Sequence, residues 1–221
     1  MDVFDQMAQQ KLSHLINDER DFKGALAYGE YYLRESQTLD EVSAHVWFLV
    51  ALAARLSGAD ATPFQKGARQ APDYTPILEG DLLRDAALHN VRLGRIHEAE
   101  LLIPRIYDRH VGDENREAAL DMVRGRIDYA KGKYWVASAD HHYADETWKR
   151  IGNLADPQWV ANNLFAWLRA LVKVKGSARK EIYRRFMELE VSAKRRKIAT
   201  RLVRYGRPAA FVYDLLERIK S

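Results

Sequence analysis

The chain has 221 residues, 47% hydrophobic and 30% charged, with only 12 glycines and 6 prolines. That is the composition of a folded globular chain and excludes disordered, collagen-like and linker-rich classes. The chain has no cysteine, so a disulfide scaffold, a thiolate zinc site and a cysteine nucleophile are excluded. Net charge is +4 but unevenly placed: residues 1–168 hold 19 Lys+Arg against 26 Asp+Glu, and residues 169–221 hold 16 against 5. The basic final third reads either as a solvated face or as an electrostatic footprint for nucleic acid, an anionic membrane surface or an acidic partner.

The chain starts Met1-Asp2-Val3-Phe4-Asp5, with neither a basic n-region nor an apolar h-region, so no secretory signal is expected. The longest apolar run, Val46 to Ala54, is roughly half of the ~20 residues a membrane span needs, and a cytoplasmic location is expected. Apolar residues recur at three- and four-residue spacing, as in Val46, Val50, Ala53 and Ala54, then Leu82, Ala86 and Leu93, then Ile103 and Ile106. This period predicts helices, and no alternating β-branched run predicts a strand. A short turn pattern recurs along the chain: Arg20-Asp21-Phe22-Lys23-Gly24-Ala25, then Gly94-Arg95-Ile96-His97-Glu98-Ala99, then Gly132-Lys133-Tyr134-Trp135-Val136-Ala137. Weaker versions start at Gly58, Gly176 and Gly206. The spacing, about 35 residues, fits two antiparallel helices and two short loops. Glycine can end the first helix in the left-handed conformation, and the small residue that follows lets the second helix lie close to the first.

These residues resemble the tetratricopeptide repeat family. Leu83, Ala87, Gly94, Ala99, Ile103 and Ile106 fall into its frame, as do Gly125, Gly132, Tyr134, Ala137 and Ala144. Trp47, Ala51, Gly58, Phe64 and Pro72 supply another unit, and Leu12, Ser13, Phe22 and Ala25 the first. The resemblance covers roughly residues 5–150; from about Pro157 onward only helix length and turn agree. It implies an all-α fold: an α/α superhelical (solenoid) array of five to six antiparallel helix hairpins. Residues 1–156 would form the repeats, and residues 157–221 a basic helical cap continuous with them.

Little in the sequence points to catalysis. His141 and Asp145, or His142 and Glu146, stand one helical turn apart and could share a metal, but such pairs are also ordinary helix-surface chemistry and a third ligand is not identifiable. There is no phosphate loop, no His-Glu-x-x-His and no Gly-x-Ser-x-Gly. Asp113 and Glu114 lie at an expected helix start, where acids oppose the helix dipole. Neither an enzyme, a metal nor a cofactor is expected. Trp47 and Tyr134 read as core, as do Trp159 and Trp167, eight residues apart on one face.

In the family's frame the first helix of each pair lines a concave groove. The residues this points inward are Gln10, His14 and Asn17, then Asp81, Arg84, Leu88 and Val91, then Met122, Arg126 and Tyr129, and, in poor register, Asn163, Ala166 and Lys173. Arg84 and Arg126 would project there, able to fork two hydrogen bonds to a carboxylate or phosphate. The basic patch comprises Arg179, Lys180, Arg184 and Arg185, with Lys194, Arg195, Arg196, Lys197, Arg201, Arg204 and Arg207. Ile198, Leu202, Phe211, Leu215 and Leu216 form apolar faces opposite it. The expectation is a non-catalytic adaptor or scaffold holding a peptide or helix of a protein partner. The alternatives are a nucleic-acid-associated protein using the basic third, and an enzyme or ligand sensor on the same scaffold.

Overall fold

Turn chemistry divides the chain into helices. The computed structural model describes residues 3–36 and 42–219, so Met1 and Asp2 of the N-terminal reading lie outside the described residues. The helices are α1 (Val3–His14), α2 (Phe22–Glu35), α3 (Ala44–Ser57), α4 (Thr62–Gln70), α5 (Pro76–Arg92), α6 (Ile96–His110), α7 (Glu114–Ala130), α8 (Tyr134–Ile151), α9 (Pro157–Val174), α10 (Arg179–Glu188), α11 (Ala193–Tyr205) and α12 (Arg207–Ile219). The fold is all-α, with no strand among the described residues. Every recurrent turn in the sequence falls at a break between two helices. Gly94 and Gly132 adopt φ of 74° and 78°, the left-handed region that a β-carbon disfavours. Asp21, Ser43, Asp113, Asp156 and Ser192 start the helices that follow them by accepting a hydrogen bond from a first-turn backbone N–H. At the Gly176 turn the left-handed residue is Lys175, with φ of 58°.

The chain divides into two compact units, residues 1–86 and 87–221. In the first, α3 packs against α1, α2 and α4. Enclosure by these neighbours explains the apolar run Val46–Ala54: most of its side chains are buried, and the run is a core helix. Trp47 lies so close to α4 that a β-carbon on Gly67 would stand 2.5 Å from its ring. Glu79 is buried in this unit and is held by Arg69 at 2.6 Å and by the Tyr74 hydroxyl at 2.9 Å.

In the second unit α7 packs on α8, α8 on α9, and α9 on α10, α11 and α12. The boundary expected at 156/157, where the repeat resemblance gives out, lies inside this unit, where α8 and α9 share an interface. Leu164, Phe165, Trp167, Leu168, Leu171 and Val172 of α9 form a core with Ile182, Phe186, Ala199, Leu202 and Ala210. Fully burying a side chain such as Phe186 is worth roughly 1.5–3 kcal/mol, so the basic third is held by apolar packing. Phe211, Leu215 and Leu216 are exposed, because α12 turns Ala209, Ala210 and Tyr213 toward the core instead.

Gly125 sits where α7 and α8 touch, and a β-carbon there would stand 2.9 Å from the His141 ring. That ring is fully buried and has nowhere to retreat. Gly125→Leu is expected to overpack the contact and cost about 1–3 kcal/mol. Urea unfolding checks it, and an unchanged midpoint would show that the two helices do not meet there.

Candidate binding site

α9 is mostly apolar, yet Asn162, Arg169 and Lys173 recur at spacings of seven and four and fall on one side of it. α7 presents Arg126 and Tyr129, three residues apart, to the same region. The Arg126 guanidinium reaches the Asn162 backbone carbonyl at 3.4 Å, and Arg195 of α11 donates to the Asn162 side-chain oxygen at 2.8 Å. Arg169 lies 4.7 Å from the Tyr129 ring and 4.8 Å from the Tyr213 ring, a sandwich that suits a planar, weakly hydrated cation.

Asp214 of α12 ties this cluster together. It accepts from Arg169 at 2.7 Å, from Lys173 at 2.9 Å and from the Tyr129 hydroxyl at 2.9 Å. Burial would raise the Asp214 carboxyl, but Arg169, Lys173 and Tyr129 outweigh it and hold it below its ordinary value. Burial, ahead of the Asp214 charge, pushes the Tyr129 phenol up, so it remains a donor. Arg126 is pushed down, first by burial and then by Arg169, Arg92 and Arg195. Asp214 compensates Arg169 and Lys173. No carboxylate among the described residues compensates Arg126, and the buried Nε of both Arg126 and Arg169 lacks a hydrogen-bond acceptor.

Behind this face lies a second polar pair. His141 is fully buried, its Nδ1 2.7 Å from the Asn163 side-chain oxygen, while Asn163 donates back to the His141 carbonyl at 2.8 Å. Asn163, expected in the groove, is therefore a buried joint between α8 and α9, and the half-buried Asn162 stands next to it. Asp145, also buried, accepts both nitrogens of Arg185 at 2.7 and 2.8 Å and Lys149 at 3.0 Å. His141 and Asp145 thus turn toward separate partners on neighbouring helices.

The other sequence candidates scatter between surface and interior. Arg84 is 6% exposed and clamped by Asp81 at 2.9 Å and Asp85 at 3.0 Å, so it does not project. Met122 is buried against Ala118, Ala144 and Trp148, with Leu88 packed on that cluster and Val91 half-buried. Ala166 is buried as well. Gln10, His14 and Asn17 are exposed, and His14 bonds Asp18 at 2.8 Å and Glu19 at 3.0 Å. Arg169, Tyr213 and Asp214 were not among the sequence candidates. The polar stripe on an apolar α9 was the available signal for Arg169. Nothing local marked Asp214, which reaches the cluster only through the docking of α12.

The basic patch separates in the same way. Arg179 bonds the Gly176 carbonyl, Arg196 caps α10 through the Leu189 carbonyl, Arg207 bonds the Lys173 carbonyl, and Arg185 holds Asp145. Arg184 is exposed and pairs with Glu188 at 3.0 Å. Lys194, Lys197, Arg201 and Arg204 are exposed and recur at spacings of three and four along one side of α11, with Lys180 exposed on α10. A cleft of about 420 Å³ opens between α8, α9 and α10, with Trp135, His142, Trp167 and Arg185 among its lining. No described helix is long and apolar enough to cross a membrane.

Burial pushes the His141 imidazole down to about 3, with the Arg126 charge adding to the effect. The folded value lies below that of the unfolded chain, so the stability tied to neutral His141 is fully present above about 6.5 and is lost as pH falls toward 3. Asp140 acts oppositely. Burial, with Asp128 and Asp121, raises it to about 6, so its protonation favours the fold as pH falls. The difference between wild type and His141→Gln isolates the histidine. Between pH 6.5 and 5 the wild type should lose about 1–2 kcal/mol more than the variant, read from urea midpoints at each pH.

Comparison with protein-family models, with curated proteins and with solved structures finds no match to this chain.

Proposed function

We propose that the protein is a non-catalytic interaction module of tetratricopeptide-like helical hairpins that binds a peptide or helical segment of a protein partner. The observation that carries this reading is the α7–α9–α12 face. There Arg126 stands without a compensating carboxylate among the described residues, beside the Tyr129–Arg169–Tyr213 stack. Leaving a charge in a partly dehydrated setting is costly, and an acidic partner group offsets that cost. Aromatic and arginine side chains are also the residue types that anchor protein interfaces. No catalytic role is assigned to these residues. The face offers donors and cations arranged for recognition.

A second reading rests on a separate observation. Lys194, Lys197, Arg201 and Arg204 line one exposed side of α11, which suits the phosphate backbone of a nucleic acid. Binding of that kind carries little sequence information.

Capture of partners from source-cell lysate, with and without nuclease, tests the first reading. A discrete protein partner that survives nuclease and is lost with Arg126→Glu is expected; capture that is indifferent to Arg126→Glu would remove this face from the interface. The second reading predicts a different variant. Lys194→Glu with Arg201→Glu should weaken duplex binding and make the salt slope shallower by about two counterions' worth, measured by fluorescence anisotropy across a salt series. Equal slopes for wild type and variant would set the nucleic-acid reading aside.

A further inference from the structure

Two carboxylates of the second unit each draw two cations. Asp145 is met by Arg185 and Lys149, and Asp214 by Arg169 and Lys173. Among the described residues Arg126 has only the Asn162 carbonyl, at 3.4 Å, and its Nε–H is buried without an acceptor. The Nε–H of Arg169, whose charge Asp214 already shares with Lys173, is also buried without one. Arg195 is fixed at the same place by Asn162, 2.8 Å from its side-chain oxygen.

We propose that the face between α7, α9 and α11 holds a phosphate group, with Arg126 and Arg169 as inner donors and Arg195 at its rim. The inference rests on the reading of this face as a recognition surface and names what it recognises. Among the described residues, Arg126, Arg169, Lys173 and Arg195 gather in this cluster, and Asp214 pairs with two of them, Arg169 and Lys173. The surplus suits a dianion better than a monoanion. The donors also come from three helices and therefore approach from different directions. A planar carboxylate matches the fork of one guanidinium, whereas a tetrahedral oxyanion offers oxygens to several. The Asn162 contacts hold two of the guanidinium groups in place before the ligand arrives, which lowers the ordering cost of binding. The Tyr129 and Tyr213 rings flank Arg169 and keep it from folding away into solvent. A small phosphate-bearing molecule and a phosphorylated side chain of a partner both present this group.

Isothermal titration of the full chain with inorganic phosphate, O-phosphoserine and acetate, at constant ionic strength, tests the site. Saturable binding of a phosphate probe is expected, with acetate at least about tenfold weaker. Arg126→Met should weaken phosphate about tenfold or more, and Arg195→Gln several-fold. Inorganic phosphate binding as well as O-phosphoserine assigns a small-molecule source; O-phosphoserine binding more tightly assigns a modified side chain. Circular dichroism accompanies each variant, and if Arg126→Met does not fold, the Arg195→Gln titration decides. No saturable phosphate binding, acetate binding as tight as phosphate, or variants that bind like wild type would each overturn the inference. Loss of a captured partner in Arg126→Glu without phosphate binding leaves the interaction module standing and sinks the phosphate site. Phosphate binding without any captured partner does the reverse.

Discussion

The carboxylate of Asp214 is the contact on which the polar interior of the second unit depends. One side chain from α12 accepts from Tyr129 of α7 and from Arg169 and Lys173 of α9, so three helices share one negative charge. Burying Arg169 without it would leave an uncompensated guanidinium, a loss of about 3–5 kcal/mol in comparable buried pairs. With it, the aromatic rings of Tyr129 and Tyr213 close on the cation from both sides. The apolar core of α9 with Phe186 and Leu202 fixes where α12 can dock, and the docking places Asp214. Packing supplies the free energy and the ion pair supplies the orientation.

The same economy explains why the basic C-terminal third is not a basic arm. Arg185 reaches back to Asp145 on α8, Arg207 to the Lys173 carbonyl, and Arg196 to the end of α10. Each of these side chains spends its charge or its donors on joining helices. Among the described residues, what remains exposed is mainly a narrower stripe on α11, with Lys180 and Arg184 on α10. A count of Lys and Arg therefore overstates the electrostatic footprint, because several of those charges are already compensated inside the fold.

The helices were legible because their ends are written in local chemistry. Gly94 and Gly132 mark turns through their backbone freedom, and Asp113 marks a start through its acidic side chain. Gly125 was legible as a close approach because no other residue type lets α7 and α8 meet. The site was legible only in part. Arg126 and Tyr129 follow from a face of α7 that local spacing defines. Asn163 and Arg84 were misplaced for a reason that spacing cannot supply. Asparagine and arginine are polar on average, and only the partners on other helices, His141 for one and the Asp81–Asp85 pair for the other, decide whether they go inside. Asp214 lay farthest from view, since its role depends on contacts 45 and 85 residues away along the chain.

His141 links these two scales. Its burial depends on Gly125, whose missing side chain leaves room for the ring, and on Asn163, which accepts from Nδ1 and so fixes the tautomer. A neutral imidazole adds no charge beneath Arg126, where a protonated one would set a second cation against it. Holding the ring neutral therefore limits the repulsion that Arg126 already meets from Arg169 and Arg195. The small residue that lets two helices touch also sets the electrostatics of the surface above them, which is how a packing constraint on α7 and α8 becomes a constraint on what the neighbouring face binds.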